Sequence, residues 1–330
     1  MEQKIISIAA FRRTAMPRYG FYDRLTEQFP SQVIVDITEV CNLKCVHCPH
    51  PSFKLSEHYA GRFLAPELNE KLVDEVGSDG LGLCQYIRYT SNGEPLMHPH
   101  AHEMIQYAVE NSNTFVTLTT NGTILNEKKM ELLLASGLHM IDISIDAFTS
   151  DVYQKVRGGR LEQVDRNVRR LIERIRLTGS KTKVVVSFIR QPLNELETDD
   201  FLRYWNDQGV DQVLIRNLHS AAGMLNGPDS ATQINRRPCL YPWERVTLDP
   251  KGRLAFCPTD WGYASAFADF SDTTLKAAWQ GEFMQTLRKA HLDNEYKCHG
   301  FCAQCPDWKL TQWPDTGRSY ANLVEDLKVV

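Results

Sequence analysis

The chain has 330 residues, 42% hydrophobic and 24% charged, and its 37 basic and 41 acidic side chains give a formal net charge of −4. That length and apolar content exclude a mini-protein and supply core for one or two globular domains, while 19 Gly and 15 Pro exclude collagen-like or low-complexity chains. The near balance of charge leaves no footprint for nucleic acid, and no stretch approaches the roughly 18 apolar residues that cross a bilayer, so neither nucleic acid nor membrane is an expected partner.

Residues 1–29 read as an N-terminal extension. Residues 5–11 imitate a weak signal core, but Arg12 and Arg13 follow on the wrong side and no small-residue cleavage site comes next, so a cytoplasmic chain is expected. The first predicted element is the β-branched run 33–38, a buried strand. It leads into Cys41-Asn42-Leu43-Lys44-Cys45-Val46-His47-Cys48, a CxxxCxxC triplet on the following loop. The 9 cysteines stand at 41, 45, 48, 84, 239, 257, 298, 302 and 305; in a reducing compartment such grouping points to metal or catalysis rather than disulfides. A four-iron cluster takes one thiolate per iron, so three thiolates leave one iron open, as a catalytic rather than a structural metal requires. The alternative on these residues alone is zinc, with His47 or His50 as fourth ligand.

Further strands are predicted at 86–90, 115–119, 140–145, 184–189 and 213–215. Amphipathic helices lie between them. Leu68, Leu72, Val73 and Val76 share one face, as do Met104, Ile105, Ala108 and Val109, and a third helix runs from Asn126 as N-cap to Gly137 just past its end. The basic run 169–176 alternates with Leu171, Ile172 and Ile175 at helical spacing and reads as a solvated helix face. Alternating strand–helix units predict an α/β fold with parallel strands and right-handed crossovers. Polar residues recur at the carboxyl ends of the strands: the cysteines, Gly93-Glu94-Pro95, Thr120-Asn121-Gly122, Ser144 with Asp146, Arg190-Gln191, and Arg216-Asn217. Turn chemistry explains any one of these, but in barrels of this kind reacting groups gather on that face. Cys84, at the opposite end of the second strand, reads as a core residue.

The barrel is expected over 30–220, a Gly- and Pro-containing linker over 221–238, a second unit over 239–310 and a tail over 311–330. Within the second unit a hairpin of 245–248 and 253–256 turns at Asp249-Pro250-Lys251-Gly252 between Cys239 and Cys257. A helix over 274–292 then precedes Cys298-xxx-Cys302-xx-Cys305, so two cysteines at a hairpin and two after a helix can converge on one site. Alone, four such cysteines fit structural zinc as well as iron.

The triplet after the first strand, Gly93-Glu94-Pro95, Thr120-Asn121-Gly122, Ile143-Ser144-Ile145-Asp146-Ala147 and Tyr153-xxx-Arg157-Gly158 together resemble the radical S-adenosylmethionine (SAM) enzymes, over about residues 30–220. The resemblance implies a partial (β/α)6 TIM-like barrel with a [4Fe-4S] cluster on Cys41, Cys45 and Cys48. It further implies that SAM binds the free iron and is cleaved to methionine and a 5′-deoxyadenosyl radical. It assigns Gly93, Glu94 and Pro95 to the SAM amino group, Asn121 to the same cofactor site, Ser144 and Asp146 to the ribose and Arg157 to the carboxylate. His47 stands where the family prefers an aromatic neighbour of the adenine, with zinc ligation as the other reading. Asp36 and Glu39 receive no role.

The second unit resembles the shortened "twitch" form of the SPASM domain, which implies an auxiliary [4Fe-4S] cluster on Cys239, Cys257, Cys302 and Cys305. Cys298 is then extra: a substitute ligand, a hydrogen donor to a substrate radical, or neither. A fully ligated auxiliary cluster suits electron transfer, so the expected reaction removes hydrogen from a carbon bearing hydroxyl or amine, giving dehydrogenation or supporting epimerisation. An external electron donor such as flavodoxin or ferredoxin is the expected protein partner. With about 40 residues before the triplet, the expected substrate is a small polyhydroxylated molecule: a sugar, nucleotide sugar or aminocyclitol. The alternatives are a peptide-modifying maturase and, more remotely, a non-catalytic zinc-binding scaffold. Arg190, Asn217, His219 and Asp260 are candidate substrate contacts, each also readable as an ordinary polar residue.

Overall fold

The computed structural model describes residues 27–90, 92–225, 236, 238–295 and 300–311. The N-terminal extension up to 26, most of the expected linker, Cys298 and the tail from 312 lie outside the described residues.

Strand β1 (Gln32–Asp36) is followed by the short helix α1 (His50–Phe53) and by α2 (Pro66–Gly77), whose leading proline is compatible with a first helical turn. Then come β2 (Tyr86–Thr90), α3 (Ala101–Asn111), β3 (Phe115–Thr120) and α4 (Glu127–Ala135). Asn126 caps α4 as its sequence predicts, its Oδ1 accepting the Lys129 N–H at 3.0 Å. The alternation continues through β4 (Met140–Ser144), α5 (Ser150–Arg157), α6 (Leu161–Thr178), β5 (Lys183–Arg190), α7 (Thr198–Gln208) and β6 (Gln212–Asn217). The second unit contains α8 (Tyr241–Glu244), β7 (Arg245–Leu248), β8 (Arg253–Ala255), β9 (Ala266–Asp269), α9 (Leu275–Gln280), α10 (Glu282–Asp293) and α11 (Gly300–Gln304).

All described strands form one nine-stranded sheet in the order β6-β5-β4-β3-β2-β1-β7-β8-β9. The first six are parallel, as the alternating pattern predicts. The sheet does not stop at the second unit: β7 pairs in parallel with β1, Gln32 opposite Arg245 and Val35 opposite Leu248, and β8 and β9 add antiparallel strands. Buried polar groups pin the junction, with Gln32 Nε2 donating to Glu244 Oε1 at 2.6 Å and Ser31 Oγ to the Glu244 carbonyl at 3.0 Å.

Alternation along β1 sends Val33 and Val35 into the core beneath the helices and Ile34 and Asp36 to the other face. On that other face Arg88 reaches Thr119 Oγ1 at 3.0 Å, and both Arg88 and Arg216 face Asp142, at 3.7 and 2.5 Å. The core runs unbroken from Val33, Leu72 and Ile105 to Phe270, Trp279 and Leu287, so both units share it. Each fully buried Val, Ile or Leu contributes about 1.5–3 kcal/mol to that cohesion. Cys84 belongs to the core, as expected.

Two expectations are corrected. The helix over 274–292 is two helices, α9 and α10, because Gly281 is extended at ψ 167° and breaks the run; a glycine inside a helix is entropically costly and readily leaves it. The start of the expected linker is packed rather than loose: Ala221 is fully buried with Phe53 and Trp261, and the N–H groups of Ser220 and Ala222 donate to Asp307 at 2.9 and 2.8 Å. Among the described residues no helix is long and apolar enough to cross a membrane.

Candidate functional site

The cysteine loop leaves β1 and is held by the loops of its neighbours. The N–H groups of Gly93 and Glu94 donate to the carbonyls of Thr38 and Val40 at 3.0 and 2.7 Å. A Cβ on Gly93 would stand 2.2 Å from the Val40 carbonyl oxygen, so only glycine permits this approach. The Glu94 carboxylate accepts Thr120 Oγ1 at 2.6 Å and the N–H groups of Asn121 and Leu96 at 2.7 and 3.1 Å. Asn121 Nδ2 donates to Asn42 Oδ1 at 2.9 Å, inside the cysteine loop, and the Val46 N–H donates to the Val156 carbonyl at 2.9 Å. Glu94 and Asn121 therefore brace the loop through their side chains.

Cys41, Cys45 and Cys48 are unbonded thiols. Burial pushes Cys41 up to about 11, with the Glu94 carboxylate and Cys45 adding to it; burial pushes Cys48 up to about 12 and Cys45 upward as well. Arg157 opposes all three shifts, its Nη1 lying 3.9 Å from Cys45 Sγ. Its own burial disfavours charge, but Asp146 and Cys45 outweigh that and hold the guanidinium charged. Arg157 Nη2 is 2.5 Å from Asp146 Oδ2, and the pair is 6% and 0% exposed. Asp146 adopts φ +63°, a conformation aspartate tolerates better than most side chains, and its Oδ1 accepts the Ile189 N–H at 2.6 Å. Ser144 Oγ lies 3.3 Å from Ser187 Oγ.

Both histidines weighed as zinc ligands are engaged elsewhere. His47 Nδ1 meets Gln191 Nε2 at 3.1 Å and its Nε2 lies 3.4 Å from Asp146, while burial holds it down at about 4, hence neutral. His50 Nε2 donates to the Glu39 carbonyl at 2.9 Å. Among the described residues no three His, Cys, Asp or Glu side chains converge tightly enough for a single ion. Three soft thiolate donors grouped on one buried loop fit an iron–sulfur cluster.

Cys239, Cys257, Cys302 and Cys305 line one small cavity together with Arg236 and His291. Burial pushes Cys239 and Cys302 up to about 12 and Cys257 and Cys305 upward, and the thiols reinforce one another. Arg236 opposes this at Cys302 and Cys305. Four soft donors in one enclosure, beside a guanidinium that favours their thiolates, suit a second cluster.

A cavity of about 170 Å³ is lined by Asp36, Thr247, His219, Asp260, Cys257 and Trp261, among others. Of the four candidate substrate contacts, His219 and Asp260 meet here; Arg190 and Asn217 do not, being exposed and bonded to each other at 3.4 Å. Asp260 accepts the N–H groups of Gly262 at 2.9 Å and Ser265 at 2.5 Å. His219 Nδ1 accepts the Ala221 N–H at 3.1 Å, so the neutral ring carries its hydrogen on Nε2. Burial holds His219 below the ordinary imidazole range, with Arg216 adding to the effect and Asp307 opposing it. A larger surface depression of about 1180 Å³, lined by Phe115, His139 and Lys183, contains none of the cysteines.

Sequence reasoning missed Asp36 and Glu39. Asp36 lines the cavity, and Glu39 accepts the N–H groups of Ala60 and Arg62 at 2.9 and 3.0 Å, the Arg62 guanidinium at 2.8 Å and the Tyr263 hydroxyl at 2.6 Å. These bonds overcome its burial and hold Glu39 below the usual carboxylate range. The available signal was Asp36 at an inward position of a strand running into the cysteines.

The sequence model of the Radical SAM superfamily matches residues 35–202, about half of the chain, and that of SPASM, an iron-sulfur cluster-binding domain, matches residues 239–306. The chain belongs to the radical SAM superfamily. As a radical SAM enzyme with a C-terminal SPASM domain, it uses a SAM-binding [4Fe-4S] cluster and an auxiliary iron–sulfur cluster, which removes the zinc scaffold from consideration. A curated relative, GTP 3′,8-cyclase of Lactiplantibacillus plantarum, is 33% identical over 200 residues, 60% of this chain and 56% of that enzyme. The chain spans about half the length of the curated relatives it matches, or less. Among solved radical SAM structures, BtrN in complex with AdoMet and 2-DOIA is 16% identical, covers 84% of this chain and 93% of that one, and has a TM-score of 0.58. Streptococcus suis SuiB bound to S-adenosylmethionine is 15% identical, covers 98% of this chain and 84% of that one, with a TM-score of 0.61. At these identities the likeness to BtrN and SuiB is one of fold.

Proposed function

We propose that this radical SAM enzyme oxidises a small polyhydroxylated molecule, with Cys41, Cys45 and Cys48 holding the SAM-binding cluster and Cys239, Cys257, Cys302 and Cys305 the auxiliary one. The observation that carries this reading is the polar cavity bounded at one end by Asp36, on the strand leading to the first cysteines, and at the other by Cys257. At about 170 Å³ it is below the roughly 300–1,000 Å³ of pockets for drug-sized ligands, which favours a single ring over a peptide segment.

When bound, SAM on its cluster supplies a carbon-centred radical that takes a hydrogen atom from the substrate. A CH–OH group that gave a hydrogen atom to that radical, a proton to a carboxylate of the lining such as Asp260 and an electron to the auxiliary cluster that Cys257 would help to hold would become a ketone. Arg157 favours the thiolates that would hold the first cluster, and its ion pair with Asp146 fixes its place beside Cys45. His219 offers an Nε2–H to a substrate oxygen. Trp261, in the cavity lining, is backed by Phe53, packed edge-on with ring centroids 5.5 Å apart. A small external reductant protein of the flavodoxin or ferredoxin class would deliver the initiating electron.

The test is anaerobic reconstitution of the full chain followed by incubation with SAM, reductant and deuterated polyols. Expected are about eight irons per chain, deuterium in 5′-deoxyadenosine and a ketone product. Cys302→Ala should lose the ketone while still forming 5′-deoxyadenosine; oxidation at the parent rate would exclude the auxiliary cluster as electron acceptor. Deuterium transfer from peptides and from no polyol would overturn the substrate class.

A further inference from the structure

The turn that follows β6 has a conformation its residues do not favour. Ala221, Ala222 and Gly223 have φ of +51°, +56° and +102°. Left-handed backbone is uncommon for a residue with a Cβ, so two successive alanines there must be held in place. Two sets of contacts hold them. The Ala221 methyl is fully buried in the apolar cluster of Phe53 and Trp261, against which Cys48 also packs. One carboxylate takes the N–H groups on either side: Ser220 donates to Asp307 Oδ1 at 2.9 Å and Ala222 to Asp307 Oδ2 at 2.8 Å. Backbone N–H groups that a turn directs toward one point form a concavity suited to an anion.

The N–H between those two, that of Ala221, has a different partner. It donates to His219 Nδ1 at 3.1 Å, which leaves the hydrogen of the neutral ring on Nε2, and His219 lines the cavity with Asp260 and Trp261. Asp307 follows Cys305 by two residues, and Gly223 lies against the intervening Pro306, where a Cβ on the glycine would stand 3.7 Å from Pro306 Cδ. One turn therefore meets the helix after the first cysteine group, the segment that carries Cys305, and the cavity.

We propose that Asp307 is a positioning residue for the oxidation: by clasping the N–H groups of Ser220 and Ala222 it keeps the turn left-handed, so that His219 presents its Nε2–H to the cavity, and it ties this orientation to the segment that carries Cys305. The inference rests on the reading of the cavity as the substrate site. Asp307 acts through His219 and touches no substrate. Without the carboxylate, two N–H groups lose their acceptor, the alanines relax toward right-handed backbone, and His219 loses the bond from Ala221 that fixes its ring. The segment that seats an auxiliary-cluster thiol thus also sets a substrate contact.

The test begins without substrate, on the anaerobic two-cluster holoenzyme. Amide hydrogen exchange of the peptide spanning 218–224 is followed by mass spectrometry, and His219 is acylated with diethyl pyrocarbonate, which attacks the unprotonated ring nitrogen that the Ala221 N–H covers. Asp307→Ala is expected to speed exchange at Ser220 and Ala222 at least tenfold and acylation of His219 at least fivefold. Adding Ala222→Gly to Asp307→Ala should recover at least threefold of the exchange change and twofold of the acylation change, because glycine adopts the left-handed turn without the clasp. General loosening of the fold would not be repaired by a glycine. Unchanged exchange or acylation in Asp307→Ala, or no recovery with Ala222→Gly, would overturn the assignment. If Asp307→Ala does not fold, Asp307→Asn, which keeps the size and one acceptor oxygen, is read by the same two measurements, with at least a threefold change expected in each and no change overturning it. With a polyol that the oxidation assay shows to be turned over, Asp307→Ala should raise KM at least tenfold and lower kcat less than threefold, and an unchanged KM would also overturn the assignment. If no polyol is oxidised, the proposed function fails while exchange and acylation still decide the role of Asp307.

Discussion

Replacing Arg157 by Gln removes the cation that lies between Asp146 Oδ2, at 2.5 Å, and Cys45 Sγ, at 3.9 Å, while keeping much of the side chain's length. Both members of the Arg157–Asp146 pair are almost wholly buried, and breaking one side of such a pair costs about 3–5 kcal/mol because the remaining charge is stranded. Asp146 would keep the Ile189 N–H at 2.6 Å and its neighbour His47 at 3.4 Å. Burial is what chiefly holds His47 at about 4, with Arg157 adding to it and Asp146 opposing, so loss of Arg157 lets His47 protonate more easily. The penalty should therefore be largest at pH 8, where His47 is neutral, and smaller at pH 5.5, where it can replace the missing cation. With a urea slope of about 3 kcal/mol/M, 3 kcal/mol moves the unfolding midpoint by about 1 M. The assay is urea unfolding of the anaerobic holoenzyme, followed by far-ultraviolet dichroism and by cluster absorbance. Asp146→Asn combined with Arg157→Gln should cost less than the sum of the single variants by at least about 2 kcal/mol, the signature of a coupled pair. A midpoint shift under about 0.3 M at pH 8, or additive single variants, would refute the reasoning.

Three further outcomes are expected. Gly93→Ala places a methyl 2.2 Å from the Val40 carbonyl oxygen and should cost at least about 1–3 kcal/mol of stability and most SAM affinity; parent-like SAM retention in equilibrium dialysis would contradict the close approach. Lys71→Ala removes the ammonium that donates to the carbonyls of Phe270 and Thr273, at 2.5 and 2.7 Å, and should lower the stability of the whole chain by about 2 kcal/mol with SAM affinity unchanged; separate unfolding transitions for the two units would show that this tie does not couple them. Burial holds His47 at about 4 and His50 and His98 below the ordinary imidazole range, so below about pH 6.5 these three rings bind fewer protons in the folded chain than in the unfolded one, while Glu75 and Glu94, raised by burial, act in the opposite sense. The histidine contribution should be full above that pH and fall as pH drops toward 4, so His98→Gln should lose less stability than the parent between pH 8 and 5.5; an equal change of urea midpoint in parent and variant would exclude the shift.

The barrel strands were legible because each is a short apolar or β-branched run ending in polar loop chemistry, and a parallel sheet follows from the helices between them. Val33 and Val35 declare a buried strand by composition alone. The attachment of β7 to β1 was not legible, since Arg245–Leu248 reads equally as one arm of an isolated hairpin, and parallel pairing with a strand more than 200 residues earlier leaves no local mark. The cysteine groups announced themselves by spacing. Asp36 did not, because a carboxylate at the end of a strand looks like turn chemistry until the strand's inward face is known. Glu39 was hidden for another reason: its partner Tyr263 lies in the other unit, and only the folded chain brings hydroxyl and carboxylate to 2.6 Å.

That continuity of the sheet bears on the chemistry. Because β7 pairs with β1, Thr247 is fixed opposite Ile34 by ladder hydrogen bonds, and Leu248 opposite Val35. The chain then reverses at Asp249-Pro250-Lys251-Gly252, and β8 runs back along β7 with Ala255 opposite Thr247, delivering Cys257 to the cavity from below. The cysteine loop leaves the other end of β1, past Asp36. The two proposed cluster sites are therefore set apart by strand register and not by a flexible linker, and the cavity lining takes in both Asp36, at the end of β1, and Cys257, after β8. An oxidation that gives up a hydrogen atom to one side and an electron to the other needs that spacing held constant through turnover. A hinge between the units would let it vary, and the shared core, the Glu39–Tyr263 bond and the Lys71 tie all oppose such a hinge.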